Sequence, residues 1–381
     1  MRILAPVCLL VSLGLGPWSA RAGSGDWRGL FEAPSVEGRG SVGVTAPLAV
    51  SLPEWSRRNA ADLGFLSGNP AFLALVPAER GRIVPVSLNA AAGGPVWTYG
   101  QATSAAPSTP EDLLAEMGGA SVRAGQVERA RLEVNAYGIA DGFGLAAGYL
   151  RSRDALLRES GTLVYNGFQE GRAMIGAASE LFNTPRAGSF SYGIALKGVV
   201  RRGDEVEIAE ASTQLEELLS SGEKSAGAVG MDIGLHYRMP ATWTGRWSGE
   251  AGFVWRDMGE TAFVFGPKTS RGQRFSAYPN NIMFGLGAAA PSFWRGTRMA
   301  VRAEFSEWGR PISWFERTGL SAELRFPALV SVQAGLRGLR PSTGAVLRFS
   351  GVEVEIAVRN QPWAGATRSS WLYLSEIRGV Y

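Results

Sequence analysis

The sequence predicts an all-β protein, a closed antiparallel transmembrane β-barrel. The expected number of strands is about 14, within a range of 12 to 16. Three observations predict it. The chain starts like an exported protein, apolar and polar residues alternate along most of its length, and the last eleven residues alternate and end on an aromatic residue. The N-terminal segment, the strands, two helices and the candidate inner residues are considered below in that order.

The N-terminus has the organisation of a secretory signal peptide. Met1-Arg2 is a short positive region, Ile3 to Leu15 is apolar, and Ala20-Arg21-Ala22 offers a small-residue cleavage site. The apolar run is too short for a transmembrane helix, which needs about 20 residues. We therefore predict a signal peptide over 1–22, an N-terminal extension and plug over 23–80, and a barrel over 81–381. We expect the protein in the outer membrane of a Gram-negative-type bacterium.

Cysteine content and charge exclude several function classes. Cys8 is the one cysteine, so a chain cleaved after Ala22 has no thiol, disulfide or cysteine metal site. Without Arg2 and Arg21, 36 basic residues balance 34 acidic ones. Interspersed charges of both signs disfavour a nucleic-acid partner, which requires a basic stripe. No cofactor is expected.

Alternation of apolar and polar residues is the main indication of strands. In Arg298 to Ser306, Met299, Val301, Ala303 and Phe305 oppose residues that include Arg302 and Glu304. A soluble barrel or sandwich would bury the apolar face, whereas a membrane barrel turns it towards lipid and its charges towards the lumen. The export signal and the terminal aromatic strand favour the second arrangement.

The predicted strands lie near 81–90, 127–137, 142–151, 157–167, 171–182, 190–202, 226–238, 246–257, 281–289, 297–307, 317–326, 329–337, 342–350, 351–360 and 371–381, with one more near 39–50. Turns are predicted at Ala140-Asp141-Gly142 and at Arg340-Pro341-Ser342-Thr343-Gly344. Single-chain bacterial barrels use even strand numbers, which favours about 14.

Two segments have helical rather than strand character. Thr109 and Pro110 begin a predicted helix over 109–118, as an N-cap and a first-turn proline. A second helix is predicted over 205–221, with Ile208, Leu215 and Leu219 on one stripe. We expect both to be short loop helices over a barrel mouth.

The C-terminal strand is the predicted membrane-insertion signal. Trp371, Tyr373 and Tyr381 lie on one face of it. Aromatic side chains favour the membrane interface. We expect this strand to be read by the barrel-assembly machinery and the barrel to be surrounded by outer-membrane lipid.

The predicted lumen face carries many charges of opposite sign that can pair across neighbouring strands. Its candidates are Asp232, His236, Arg238, Arg298, Arg302, Glu304, Arg317, Glu323, Arg325, Arg348, Glu353, Glu355 and Arg359. Asp232 and His236 lie about 13 Å apart along one strand, too far for a direct catalytic dyad. The sequence contains no nucleophile elbow, metal-ligand cluster or phosphate loop, so we do not expect an enzyme.

A short motif near the N-terminus carries a resemblance to a known family. Asn69, Pro70 and Ala71 precede Phe72 and a barrel of about 14 strands. Together with the segments 229–238, 252–259 and 278–281, this motif resembles sequences of the fatty-acid transporter (FadL-type) superfamily of outer-membrane barrels. The resemblance is closer to its PorV-like and TraF-like branches. The resemblance implies that the N-terminal segment folds into the barrel as a plug that contains the three residues. On its residues alone, Asn-Pro is also a helix cap followed by a first-turn proline.

The resemblance leaves two functions open. One is a plugged barrel for passive uptake or passage of small molecules, hydrophobic ones included. The other is a non-transporting adaptor or shuttle barrel that binds an envelope protein of a secretion or conjugation machine. The charged lumen differs from the apolar pocket that a hydrophobic ligand requires, although the N-terminal half, where inward positions include smaller residues, leaves room for an apolar pocket.

Overall fold

The computed structural model describes residues 69–75, 82–93, 127–157, 163–208, 224–240, 247–266, 277–278, 280–291, 297–306, 314–327, 330–337, 340–349, 352–361 and 370–379. The predicted signal peptide, the strand near 39–50, the helix over 109–118 and Tyr381 lie outside these residues.

The described residues are almost entirely strands. A 3-10 helix, Pro70–Leu75, comes first, and a short helix α1, Trp314–Arg317, precedes β11. The strands are β1 Arg82–Gly93, β2 Val127–Ala140, β3 Phe143–Leu157, β4 Leu163–Thr184, β5 Gly188–Ile208, β6 Lys224–Arg238, β7 Ser248–Arg256, β8 Phe263–Phe265, β9 Asn281–Ala289, β10 Arg298–Phe305, β11 Thr318–Arg325, β12 Val330–Arg337, β13 Arg340–Phe349, β14 Val352–Gln361 and β15 Ser370–Gly379.

The strands form one closed ring. Each wall strand pairs antiparallel with its neighbours in sequence, β5 pairs with β6, and β1 pairs with β15, from Ser87 opposite Arg378 to Gly93 opposite Leu372. β8 continues the line of β7 along β6, with Phe263 opposite Ala228. β7 and β8 therefore form one interrupted wall strand, and the ring has 14 members. This confirms the predicted fold class and strand number.

The polarity of the wall is inverted relative to a soluble protein. Leu145 and Ile175 are 62% and 54% exposed on the outer side, whereas Asp232 and Glu170 are 2% and 0% exposed on the inner side. Alternate residues of a strand lie on opposite faces, so each strand presents apolar groups outward and polar or small groups inward. The predicted outward orientation of the apolar face is confirmed.

A bulge separates β7 from β8 and changes the direction of the Asp257 and Thr261 side chains. Asp257 and Glu260 have positive φ angles of 48° and 65°, and Gly259 one of 80°. Met258 N–H donates to the Met231 carbonyl at 2.8 Å, so the bulge stays attached to β6. Asp257 and Thr261 are buried. Bulges bend a strand and redirect its side chains, and this one directs polar groups inward.

Several predicted boundaries are wrong. The strands predicted over 157–167 and 171–182 are one strand, β4, because Gly171 occupies a wall position opposite Tyr149 and Val200 rather than a turn. The helix predicted over 205–221 is wrong at its start, since β5 continues to Ile208 and pairs with β4 there; 209–221 lie outside the described residues.

The two predicted turns have different outcomes. Asp141 and Gly142 form a tight turn with φ angles of 47° and 75°, as predicted for a two-residue hairpin. The turn predicted at 340–344 is wrong, because those residues begin β13 and Pro341 pairs with Leu336. Proline is tolerated near the start of a strand, where a ladder donor is dispensable.

Candidate functional site

The residues Asn69–Leu75 form a compact turn inside the barrel, called here the internal turn. The Asn69 Oδ1 atom accepts a hydrogen bond from Ala71 N–H at 3.1 Å, and the Asn69 carbonyl accepts one from Phe72 N–H at 3.1 Å. Asparagine thereby caps the 3-10 helix and proline occupies its first position, where no donor is lost. Asn69, Pro70, Ala71, Phe72 and Leu73 are all buried.

Two glycines of the wall make room for the internal turn. A Cβ atom on Gly193 of β5 would lie 2.5 Å from the Pro70 carbonyl carbon and 2.7 Å from the Ala71 nitrogen. A Cβ atom on Gly234 of β6 would lie 2.9 Å from Pro70 Cδ and would collide with Asn69 Oδ1. The two glycines lie directly opposite each other. The backbone of the turn therefore rests against the backbone of the wall.

The side chains of the internal turn contact both polar and apolar groups. The Phe72 ring packs edge-on against His236, with 5.1 Å between centroids, and His236 Nε2 lies 3.1 Å from Glu250 Oε2. Leu73 packs in a buried cluster with Tyr137, Ile139, Ala146 and Ala195. The inner wall from β2 to β5 is thus apolar beside the turn, while His236 lies next to the buried carboxylate of Glu250.

A buried charge network lies next to the turn, where the bulge meets β5 and β6. Lys197 Nζ lies 2.5 Å from Asp232 Oδ1 and 2.7 Å from Asp257 Oδ1. Asp257 N–H donates to Asp232 Oδ1 at 2.7 Å, and Thr261 Oγ1 donates to Asp257 Oδ1 at 2.6 Å. One ammonium group contacts both carboxylates, and hydrogen bonds satisfy further lone pairs, which a buried ion cluster requires.

A second network surrounds Arg201 on β5. Its Nη2 and Nε atoms donate to Glu170 Oε2 at 2.9 and 3.0 Å, and Glu170 also accepts from Arg172 and the Tyr278 hydroxyl. The guanidinium carbon lies 4.3, 4.5 and 4.9 Å from the ring centroids of Phe168, Phe263 and Tyr278. Ion pairing and cation–π contacts therefore fix this arginine across β4, β5 and the β8–β9 connection.

The opposite inner wall is also polar. Arg302 Nη2 of β10 donates to Glu323 Oε2 of β11 at 3.3 Å. Further buried polar residues lie in β10, β12 and β14 or, for Ser306, directly after β10: Glu304, Ser306, Ser331, Gln333 and Glu355. This half of the lumen presents charge and hydrogen-bonding groups, in contrast to the apolar cluster around Leu73.

The structure places the sequence-predicted inner residues in several environments. Asp232 and His236 are brought together with Lys197 and Glu250 respectively, not with each other. Arg238 and Arg325 are half-buried, Arg298 is exposed at a strand start, and Arg317 ends α1 instead of beginning a strand. Residues placed by strand register are Arg348 opposite Glu353, Arg359 opposite Leu372, Trp371 opposite Asn360 and Tyr373 opposite Val358.

Sequence reasoning missed the residues that complete the two networks, namely Lys197, Asp257, Thr261, Glu170, Arg201 and Tyr278. The alternation of β5 contained a signal for two of them, because Lys197 and Arg201 share a face with Ala195 and Val199. The bulge gave no periodic signal, since it is an interruption of the alternation.

The outer wall has an apolar hollow across β2 to β6. Its volume is about 750 Å³, and it follows a row of small residues at directly paired positions, Ala136, Ala147, Ala173 and Gly198. Leu145, Ile175 and Leu196 form a ridge beside it. The hollow belongs to the lipid-facing side of the wall and not to the lumen.

Two kinds of feature are absent from the described residues. No group of three or more His, Cys, Asp or Glu side chains in the part of the chain that the structure describes is placed to hold a metal ion. No described helix is both long and apolar enough to cross a membrane.

Comparison with known proteins gives structural neighbours only. No protein-family model matches the sequence, and no curated protein matches it. The CymD monoaromatic hydrocarbon channel is 11% identical, with 93% of this chain and 98% of that chain covered and a TM-score of 0.46. A deltaS2 mutant of the TodX monoaromatic hydrocarbon channel is 13% identical, with 84% and 94% covered and a TM-score of 0.44. A mutant Rh. blastica porin is 8% identical, with 79% and 100% covered and a TM-score of 0.30.

Proposed function

We propose that this chain is an outer-membrane barrel for the passage of small molecules, hydrophobic ones included, and that the internal turn is its plug. The observation that carries the proposal is the position of Asn69–Leu75, buried inside a closed barrel against the inner faces of β3 to β6. A closed wall encloses a lumen, and a segment that has no role in the wall but fills part of the lumen controls what passes through it.

The outer surface supports the membrane location. Large apolar side chains are exposed around the wall, among them Val229, Leu286, Leu320 and Ile356. Exposed apolar surface on this scale would drive a soluble protein to associate, whereas in a bilayer it faces hydrocarbon. On this proposal residues 1–22 direct export, and the C-terminal strand with Trp371 and Tyr373 is recognised by the barrel-assembly machinery. Membership of the FadL-type superfamily, including its PorV-like and TraF-like branches, is part of the same proposal.

The inner surface of the barrel has both apolar and charged parts. Apolar groups around Leu73 and Tyr137 contact the internal turn and lie on the same side as the charge network of Lys197, whereas the opposite side carries charged groups such as Arg302 and Glu323. A small molecule with an apolar body and a polar end would find partners on both. Displacement of the internal turn would uncover the apolar part.

The test is conductance of the full-length protein in a planar bilayer, compared with a variant that lacks residues 56–76. We expect current steps in the deletion variant and closed or rarely open channels in the intact protein. Heat-dependent migration on gels establishes that both barrels are folded and inserted. Silent bilayers with both proteins inserted would contradict a plugged conduit.

A second candidate function is the adaptor or shuttle barrel. It is favoured by the end of the β4–β5 hairpin, where residues 179–187 are exposed. An adaptor needs a surface that projects from the wall, and a conduit does not. An intact protein and a deletion variant that are both silent in the bilayer would favour this function.

A further inference from the structure

The inner wall formed by β10 to β13 carries more positive than negative charge. Its inner-face positions are marked by buried residues at alternate sites, such as Ala300, Gln333 and Val346. The described side chains at these positions include five arginines and two glutamates: Arg298, Arg302, Arg325, Arg337 and Arg340, with Glu304 and Glu323. Arginine is not deprotonated in proteins. This part of the wall therefore has three positive charges in excess.

The excess is not cancelled farther along the same wall. The next inner-face positions, placed by strand register on β13 to β15, hold arginines and glutamates in equal number: Arg348, Arg359 and Arg378, with Glu353, Glu355 and Glu376. On the side of β4 and β5, charged groups such as Glu170 and Lys197 lie in buried networks and are 0% and 4% exposed. Arg298, in contrast, is exposed and Arg325 is half-buried. The excess charge is thus on the more accessible side of the lumen.

The excess charge is concentrated at the two ends of this wall. In the middle, Arg302 Nη2 lies 3.3 Å from Glu323 Oε2, and the two charges cancel. The other four arginines form two directly opposed pairs, called here the arginine pairs. Arg298 faces Arg325 across β10 and β11, at the end of the barrel that holds the tight β2–β3 turn. Arg337 faces Arg340 across β12 and β13, at the opposite end.

The two arginine pairs are separated by most of the length of the wall. The row of directly paired residues that contains Arg337 also contains Gly319 and Glu304. Arg298 and Glu304 are six positions apart on β10, so the two rows lie about 20 Å apart along the strands. Even with Glu304 in its row, the second pair keeps one positive charge in excess. Both ends of the wall are therefore positive.

Each arginine pair is an arrangement that an anion would stabilise. Residues directly opposite in an antiparallel pair have Cβ atoms about 4.5–5.5 Å apart, and like charges at such positions destabilise the sheet. A negatively charged group near both guanidinium groups offsets this repulsion. The planar fork of arginine matches the two oxygens of a carboxylate or phosphate group.

The wall between the two arginine pairs leaves room for a small solute. Its inner-face positions include four small residues that are half-buried, namely Ser321, Gly335, Ser342 and Gly344. Ser321 pairs directly with Gly335, and Gly335 pairs with Ser342, so three neighbouring strands lack a long side chain at this height. A polar surface with little side-chain bulk thus connects one pair with the other.

We propose that the two arginine pairs make the lumen selective for anions, and that small water-soluble organic anions with a carboxylate or phosphate group are its substrates. The proposal rests on the proposed conduit function and names its substrate class. Charge at the mouth of a pore raises the local concentration of the oppositely charged solute, and rings of arginine or lysine line anion pores. An anion enters at one arginine pair, passes the small residues and leaves at the other.

The first test is the ion selectivity of the full-length protein and of the variant that lacks residues 56–76. The reversal potential is measured in planar bilayers with about 0.1 M KCl on one side and about 1 M KCl on the other. We expect chloride to be about threefold more permeant than potassium, or more. Equal permeability of the two ions, or a preference for potassium, would overturn the anion proposal and leave the conduit intact. Silent bilayers with both proteins inserted would overturn both proposals.

Charge-neutralising variants test the arginine pairs themselves. Arg298→Gln combined with Arg325→Gln, and Arg337→Gln combined with Arg340→Gln, should each lower the chloride preference. Arg151→Gln is the matched control, because Arg151 is exposed on the outer face of β3, and it should keep the wild-type preference. Should a double variant fail to fold, Arg298→Gln alone, at an exposed strand start, should still lower the preference. Wild-type selectivity in the variants of both pairs would refute their role.

Competition by organic anions tests the substrate class. Succinate or inorganic phosphate, added at constant chloride concentration, should reduce the chloride current with saturation, and the neutral analogue succinamide should not. The reduction should weaken in the variants of either arginine pair and persist in Arg151→Gln. No competition by either anion, or equal effects of succinate and succinamide, would overturn the substrate class.

Discussion

The contact between the internal turn and Gly193 of the barrel wall offers the most direct test by substitution. In Gly193→Ala, the new methyl group would lie 2.5 Å from the Pro70 carbonyl carbon and 2.7 Å from the Ala71 nitrogen. Ordinary van der Waals contact begins near 3.4 Å. Both contacted atoms are backbone, so a rotamer change cannot relieve the collision and the whole turn must move away from the wall.

The magnitude follows from the cost of overpacking. Adding one methyl group to a well-packed site typically costs about 1–3 kcal/mol. A free-energy change of about 1.4 kcal/mol alters an equilibrium constant tenfold. The equilibrium between the internal turn packed against the wall and the displaced turn should therefore shift by roughly 5-fold to 150-fold. We expect the open probability in planar bilayers to rise by a factor in this range while the barrel remains folded.

Gly198→Ala is the matched control. It lies on the same strand, carries the same substitution, and has no atom within 4 Å of the added Cβ because it faces outward. Its conductance should equal that of the wild type. The reasoning is refuted if the two alanine variants conduct alike, or if Gly193→Ala opens no more often than the wild type.

Three further substitutions test the inner contacts. Lys197→Met removes the ammonium group that contacts both Asp232 and Asp257, so thermal unfolding should show a loss of about 3–5 kcal/mol. Phe72→Ala removes the ring that packs on His236 and should raise conductance, since truncating a buried phenylalanine costs about 3–5 kcal/mol. Arg201→Lys keeps the charge but loses the two-atom contact with Glu170 and the contact of the guanidinium group with three rings, so a smaller loss of stability is expected.

Each of these predictions has its own contradicting result. An unchanged unfolding temperature for Lys197→Met would mean that the carboxylates are hydrated rather than buried. Phe72→Ala with wild-type conductance would place the restriction of the lumen elsewhere. Arg201→Lys as stable as the wild type would show that the rings pack with the side-chain stem and not with the guanidinium plane.

The wall was predictable because its signal is local. Alternation with a period of two assigns each residue of β9, β10 or β14 to a face without knowledge of its neighbours. The boundaries of β9, 281–289, agree with the prediction. The errors fall where a local signal had two meanings. Gly171 is a wall residue rather than a turn, and the residues 205–208 extend a hairpin despite their helical stripe.

The inner site was predictable only in part. Parity alone assigned Asp232, His236 and Glu323 to the interior, but their partners come from other strands and from the bulge after β7. Pairing across a barrel depends on register, which neighbouring strands and turns set together. No window of sequence contains the information that Lys197 faces both Asp232 and Asp257.

The sequence by itself determined that this chain forms an inverted β-barrel, because the face on which a strand residue lies follows from the parity of its position. Tertiary structure decided where the ring closes and that the internal turn packs against Gly193 and Gly234. It also decided that β4 extends beyond the end of β3. These features depend on the relative heights of strands and on backbone-to-backbone distances. Both are set by register and packing among segments far apart in the chain, and periodicity within one segment does not encode them.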